Sequence, residues 1–117
     1  MEVLLTRQSV AAGDDADEHD ERIDVPSNIS LEALLERVRE MRYLASIQGG
    51  KATWSVWSDR ALAVMAQEWE SARLLPFAGD FFSHIKPKAL HFVYHAQQDP
   101  SVVFDVLSCL DMPLRPV

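Results

Sequence analysis

Three of the four histidines and the one cysteine are the residues whose types and spacing could carry chemistry. His91 and His95 stand four apart, a spacing that puts both on one face of a strand or a helix, and His84 lies nearby. A catalytic zinc site wants three ligands, and usually a carboxylate near the reacting water. The helical metalloprotease pattern wants Glu directly after the first His, and Phe92 stands there instead. Structural histidines therefore fit better than metal ligands, and no cofactor is expected. Cys109 lies between Ser108 and Leu110 on an apolar helical stretch, which reads as a buried structural thiol rather than a nucleophile.

Two further stretches resemble ion or phosphate loops only in part. Gly49-Gly50-Lys51-Ala52-Thr53 has Ala45 where a Gly must stand with four residues between it and the Gly-Lys pair, has Ala52 after the Lys, and is expected between a helix and a following strand. A phosphate loop needs the reverse order of elements, so nucleotide binding is rejected. Asp15-Ala16-Asp17-Glu18-His19-Asp20 suggests a calcium loop, but Asp20 and Pro26 occupy the positions that require Gly and Glu.

The acids themselves remain. Between Asp14 and Asp24 lie Asp14, Asp15, Asp17, Glu18, Asp20, Glu21 and Asp24, seven acids offset only by Arg22, so this segment holds -6 of the chain's formal charge of -7. Such a balance argues against nucleic acid and anionic membranes, which need clustered Lys and Arg. A run of like charge is either a solvated loop that maintains solubility or a docking surface that steers a basic partner. Trp54, Trp57 and Trp69 are close in sequence, and an exposed one, Trp57, would be an anchor beside Asp14, Asp15, Asp17, Glu18, Asp20 and Glu21.

These residues must be positioned by one domain, since 117 residues leave no room for two cores. A single cysteine makes no internal disulfide, the N-terminus lacks a signal-peptide pattern, and no stretch approaches the roughly 18 apolar residues of a membrane span. A cytoplasmic location is the default expectation. Residues 3–12 alternate as a strand, and the acidic loop, about 13–22, returns through Ile23 and Val25 as a half-buried edge strand closed by Pro26. Ser30 caps a helix in which Leu31, Leu34, Leu35, Val38 and Met41 or Arg42 follow helical spacing. Glu32, Glu36, Arg37, Arg39 and Glu40 take its other side, and Gly49-Gly50 supplies the stop.

Thr53 to Trp57 and Ala61 to Trp69 then read as a hairpin around Ser58-Asp59-Arg60. Residues 70–87 read as irregular, and 89–95 as a strand, with a helix from Pro87 the other option. Asp99 or Ser101 caps a short helix through Leu110. The expectation is an α+β single domain over residues 1–112 with a short tail at 113–117. It has a mixed or antiparallel sheet, one main amphipathic helix packed on one face, and a short C-terminal helix. In element order this resembles a ubiquitin-like β-grasp, without a conjugation tail, since the Gly pair is internal. Such likeness implies nothing about function.

Arg7 to Asp15, with Gly49-Gly50-Lys51-Ala52-Thr53-Trp54 downstream, resembles small bacterial proteins of uncharacterised function. The short, acidic style without a catalytic signature is similar to immunity proteins that neutralise toxins. The resemblance covers about the first two-thirds of the chain and transfers no functional residue. It implies a non-catalytic binding module for a basic protein partner such as a cognate toxin or nuclease. The alternatives are a small enzyme or metal- or ligand-binding domain using His84, His91 and His95, and a homodimer or larger homo-oligomer pairing through the edge strand Arg22 to Val25.

Overall fold

Alternation of apolar and polar residues builds most of the sheet. The computed structural model describes residues 1–8, 20–44, 51–76 and 78–111. Among them run β1 (Glu2–Arg7), β2 (Glu21–Asp24), α1 (Leu31–Glu40), β3 (Thr53–Ser58), β4 (Arg60–Ala66), β5 (Arg73–Leu74), α2 (Ala78–Ile85), β6 (Ala89–Tyr94) and α3 (Pro100–Asp111). The strands form one mixed six-stranded sheet in the order β2-β1-β6-β3-β4-β5. Only β1 and β6 run parallel; every other neighbouring pair is antiparallel. The chain is thus an α+β domain, and residues 89–94 are strand rather than helix.

Registers assign each side chain to a face. Val3, Leu5, Leu90, Phe92, Val56, Trp54, Ala63 and Met65 share one side of the sheet, opposite one another across successive strands. α1 covers this side with Leu31, Leu34, Leu35 and Val38. Tyr43, just past the helix, meets Phe92 edge-on, with ring centroids 5.8 Å apart. Burying each of those four aliphatic side chains contributes about 1.5–3 kcal/mol. On the opposite side Leu62 and Val64 are also fully buried, which the packing of α3 against β4 and β3 accounts for, with Val103 and Leu107 inward. β4 is therefore apolar on both faces and sits at the centre of the core.

The helix ends follow local chemistry. Ser30 Oγ accepts from the Ala33 amide at 3.1 Å, the expected N-cap. The far end differs from expectation: α1 stops at Glu40, well before Gly49-Gly50, which lies outside the described residues. Arg42 adopts φ 56°, a left-handed turn without glycine, and its amide closes on Arg39 O at 3.0 Å. α3 begins at Pro100, and Asp99 is its cap, with Oδ1 accepting from the Ser101 amide at 2.9 Å. At twelve residues α3 is longer than α1, so it is not the minor helix expected. Residues 70–87, expected to be irregular, hold β5 and α2. Ala78 and Phe82, one helical turn apart, bury the inner side of α2 and stabilise a helix too short to stand by propensity.

Candidate functional site

The acidic segment enters the described structure at Asp20 and runs into β2, the outermost strand at one end of the sheet. Asp14, Asp15, Asp17 and Glu18 lie outside the described residues. Asp20, Glu21 and Asp24 are exposed. Arg22 reaches Glu2 at 3.0 Å across the strand pair, both side chains being about two-thirds exposed at 66% and 64%, so this ion pair contributes little.

Hydrogen bonding shows which backbone groups this edge offers. Met1 and Val25 exchange both of their bonds, N to O at 2.8 Å in each direction. In an antiparallel ladder such doubly bonded pairs recur at every second residue. The register then directs Ile23 and Glu21 inward, against Val3 and Leu5. The Leu4 amide, which donates to Lys88 O at 2.8 Å on the other side, agrees with this alternation. Arg22 and Asp24 consequently turn their N–H and C=O groups away from β1, and among the described residues no strand meets them.

Negative charge at this edge is felt on the α1 side of the sheet. Burial, foremost, pushes the Tyr43 hydroxyl up to about 12; Arg7 opposes the shift, and Asp20 and Glu21 add to it. Trp57 lies on the other side. It pairs with His91 across β3 and β6, its indole donates to Ser55 Oγ at 2.7 Å, and it is half-buried. Glu21, opposite Leu5, and Trp57 thus belong to opposite faces, and the two are not brought together. Trp54 is buried under α1 against Tyr94, with centroids 4.9 Å apart, and Trp69 lies beyond β4. The three tryptophans therefore occupy three different environments.

The histidines do not converge either. His84, in the last turn of α2, donates from Nδ1 to the Asp80 carbonyl at 2.8 Å. His91 is exposed and bonds Thr6 Oγ1 through Nδ1 at 2.7 Å. His95 Nε2 lies 2.7 Å from Ser55 Oγ. Ser55 is fully buried and accepts from the Trp57 indole, and its hydroxyl shares a hydrogen bond with His95 Nε2 whose direction follows the imidazole tautomer. Burial also pushes the His95 pKa below its ordinary value. A hydroxyl bonded to imidazole has the form of a nucleophile and base. Here, however, the hydroxyl is fully buried, and its bonds go to two half-buried side chains, Trp57 and His95. Among the described residues no group of three His, Cys, Asp or Glu side chains could hold a metal ion.

Two side chains depart from the sequence reading. Cys109 is exposed rather than buried. α3 turns Val103 and Leu107 inward, which leaves Cys109 on the outer side with Val102 and Val106. Arg39, placed by periodicity on the solvent side of α1, is half-buried and donates from Nη2 to the carbonyls of Ala66, at 2.8 Å, and Trp69. Its heptad neighbours gave no signal of this, because the partners are backbone atoms of a distant strand end.

Among the described residues no helix is long and apolar enough to cross a membrane. In comparison with known proteins, no family model matches the chain, and no curated protein or solved structure matches it.

Proposed function

We propose that this chain is a non-catalytic binding module that docks a basic protein on its acidic sheet edge, as an immunity protein does in neutralising a toxin or nuclease. One observation carries this reading: β2 is an outermost strand whose outward backbone groups, at Arg22 and Asp24, are flanked by exposed Asp20, Glu21 and Asp24. An extended basic segment added along β2 would gain main-chain hydrogen bonds, and the acids would steer its approach. Asp14, Asp15, Asp17 and Glu18 extend the same charge in sequence. Trp57, on the opposite face, is not required by this mode of docking.

The test is an affinity capture at low and high salt with the parent and with a variant carrying Asp14→Asn, Asp15→Asn, Asp17→Asn and Asp20→Asn. A stoichiometric basic partner, released by salt and by the variant, is the expected result. A partner held equally by parent and variant would remove the acidic edge from the interaction.

The same edge favours a second reading, pairing of two copies. A twofold antiparallel pairing centred on Ile23 sets Arg22 of one copy opposite Asp24 of the other, and these are the residues with outward backbone groups. The net charge of -7 per chain opposes it. Salt separates the two readings by sign: sedimentation would show a self-pair strengthening as repulsion is screened, whereas a basic partner dissociates.

A further inference from the structure

β2 asks for more in a partner than positive charge, because its register fixes which group stands where. Met1 and Val25 exchange both bonds, and the pairs Val3–Ile23 and Leu5–Glu21 follow at every second residue. Arg22 and Asp24 are left with outward N–H and C=O groups, so an antiparallel strand could exchange both bonds with each of them. Ile23 and Glu21 would meet that strand as non-hydrogen-bonded pairs, in which Cα atoms approach to about 4.5 Å and side chains come closest.

The two faces of β2 call for different side chains. On the α1 side Ile23 is half-buried against the core, and Glu21 is exposed two residues away. A branched apolar side chain opposite Ile23 would extend the core, and a base opposite Glu21 would complement its charge. On the other side Arg22 and Asp24 are exposed. A base suits the position opposite Asp24, whereas a base opposite Arg22 would be repelled.

The chain's own β2 fills these positions only in part. In the twofold self-pair centred on Ile23, Arg22 stands opposite Asp24, Ile23 opposite Ile23 and Asp24 opposite Arg22. Val25, a buried residue, then falls opposite Glu21 and offers it no cation. Three positions fit and the fourth fails. A base opposite Glu21 is therefore what separates a foreign strand from a second copy.

We propose that β2 selects an extended partner segment by this register, which presupposes that β2 is the docking edge. Read from its N-terminus, the segment carries a base, a branched apolar residue, an uncharged residue and a second base. It lies antiparallel, opposite Asp24, Ile23, Arg22 and Glu21 in turn.

The experiment is an NMR titration of the isotope-labelled full chain, followed at the Arg22 and Asp24 amides. The probes are the capped peptide Ser-Lys-Val-Thr-Lys-Ser and the shuffled Ser-Val-Lys-Lys-Thr-Ser, of equal charge and composition. Two further probes carry a single N-methyl group on the first peptide. The patterned peptide should bind at least about threefold more tightly than the shuffled one. N-methylation of the threonine, whose amide faces Arg22, should weaken binding about tenfold, and N-methylation of the valine, whose amide faces away, should leave it nearly unchanged. Glu21→Lys, a change at an exposed position, should weaken the patterned peptide about threefold and regain affinity when glutamate replaces its second lysine. Equal affinity for patterned and shuffled peptides, with both amides shifted, would overturn the register while leaving β2 as the docking edge. Equal loss from the two methyl groups would likewise exclude the antiparallel register. Shifts at neither amide with any peptide would overturn the docking edge itself, and the register with it.

Discussion

At one edge of the sheet β2 runs for four residues and carries Glu21, Arg22 and Asp24 on exposed positions; at the other, β5 runs for two, Arg73 and Leu74. The β5 edge is closed down by its own chemistry. Its shortness leaves little ladder to extend, Pro76 follows, and the Arg73 guanidinium stacks over Trp69 at 4.1 Å from the ring centroid. The β2 edge keeps a longer row of outward groups and defends it with charge instead. Natural edges are blunted by brevity, proline or charge, but these devices differ in what they permit. Brevity excludes every strand, whereas charge of one sign excludes only strands of like sign. On the proposed reading, the contrast makes β2 the edge at which a basic strand would be selected.

The largest expected effect separates inward from outward groups on β2 itself. Ile23→Pro removes an amide that bonds β1 and leaves its acceptor unpaired, and should cost about 1–3 kcal/mol in urea denaturation. Arg22→Pro removes an amide that points away from β1, and should stay within about 1 kcal/mol of the parent. Partner binding should show the reverse selectivity, with Arg22→Pro impaired while still folded. Equal destabilisation by the two prolines would show that the alternation of inward and outward groups is wrong.

The next contrast sets one edge against the other. Asp20→Asn, Glu21→Gln and Asp24→Asn together should slow association with the basic partner about tenfold at low salt. Arg73→Gln, at the opposite edge, should leave the rate unchanged. Stopped-flow measurements at two salt concentrations distinguish them. A rate indifferent to the acids would leave β2 with no advantage over β5.

A smaller effect concerns how each edge arginine is held. Arg73→Ala gives up the contact with Trp69 and should lower stability by about 0.5–1 kcal/mol. Arg22→Ala gives up only the exposed pair with Glu2 and should cost at most a few tenths, about 0.3 kcal/mol. Thermal denaturation of the two variants in parallel checks the order.

How far this contrast was legible in the sequence depends on which forces set each element. β2 was readable because Ile23 and Val25 alternate with charge, and α1 because Ser30 precedes four apolar residues at helical spacing. The end of α1 was not, since the signal sought was glycine and the chain uses Arg42 at positive φ instead. β5 and α2 were hidden for a related reason. Two residues of strand have no periodicity, and α2 carries Gly79 behind Pro76, so its helix depends on the tertiary burial of Ala78 and Phe82. The acids were legible as charge, but their separation from Trp57 was not, because facing is decided by register across β6. Arg39 and Ser55 share a further limit. Each bonds a group far along the chain, Arg39 Nη2 the carbonyls of Ala66 and Trp69 and Ser55 the His95 ring, and a half-buried guanidinium looks, in sequence, like any charge on the outer side of a helix.

The smallest effect is a change of slope, and it tests the part of the sheet that both edges share. His95 shares a hydrogen bond with buried Ser55, and burial holds its pKa below the ordinary 6.5. The unfolded chain therefore takes up this proton first as pH falls. The His95 contribution is complete above about pH 6.5 and is lost as pH drops from there through the lower folded value. Stability of the parent should thus decline between pH 7 and pH 5.5. His95→Gln, which can accept from Ser55 without titrating, should lack that component. Because His95 lies after β6, remote from Arg22 and Arg73 in the strand order, Arg22→Pro and Arg73→Ala should retain the parent slope. Chemical denaturation at four pH values for these chains is sufficient. A common slope in parent and His95→Gln would mean that the Ser55 bond does not depend on the neutral imidazole.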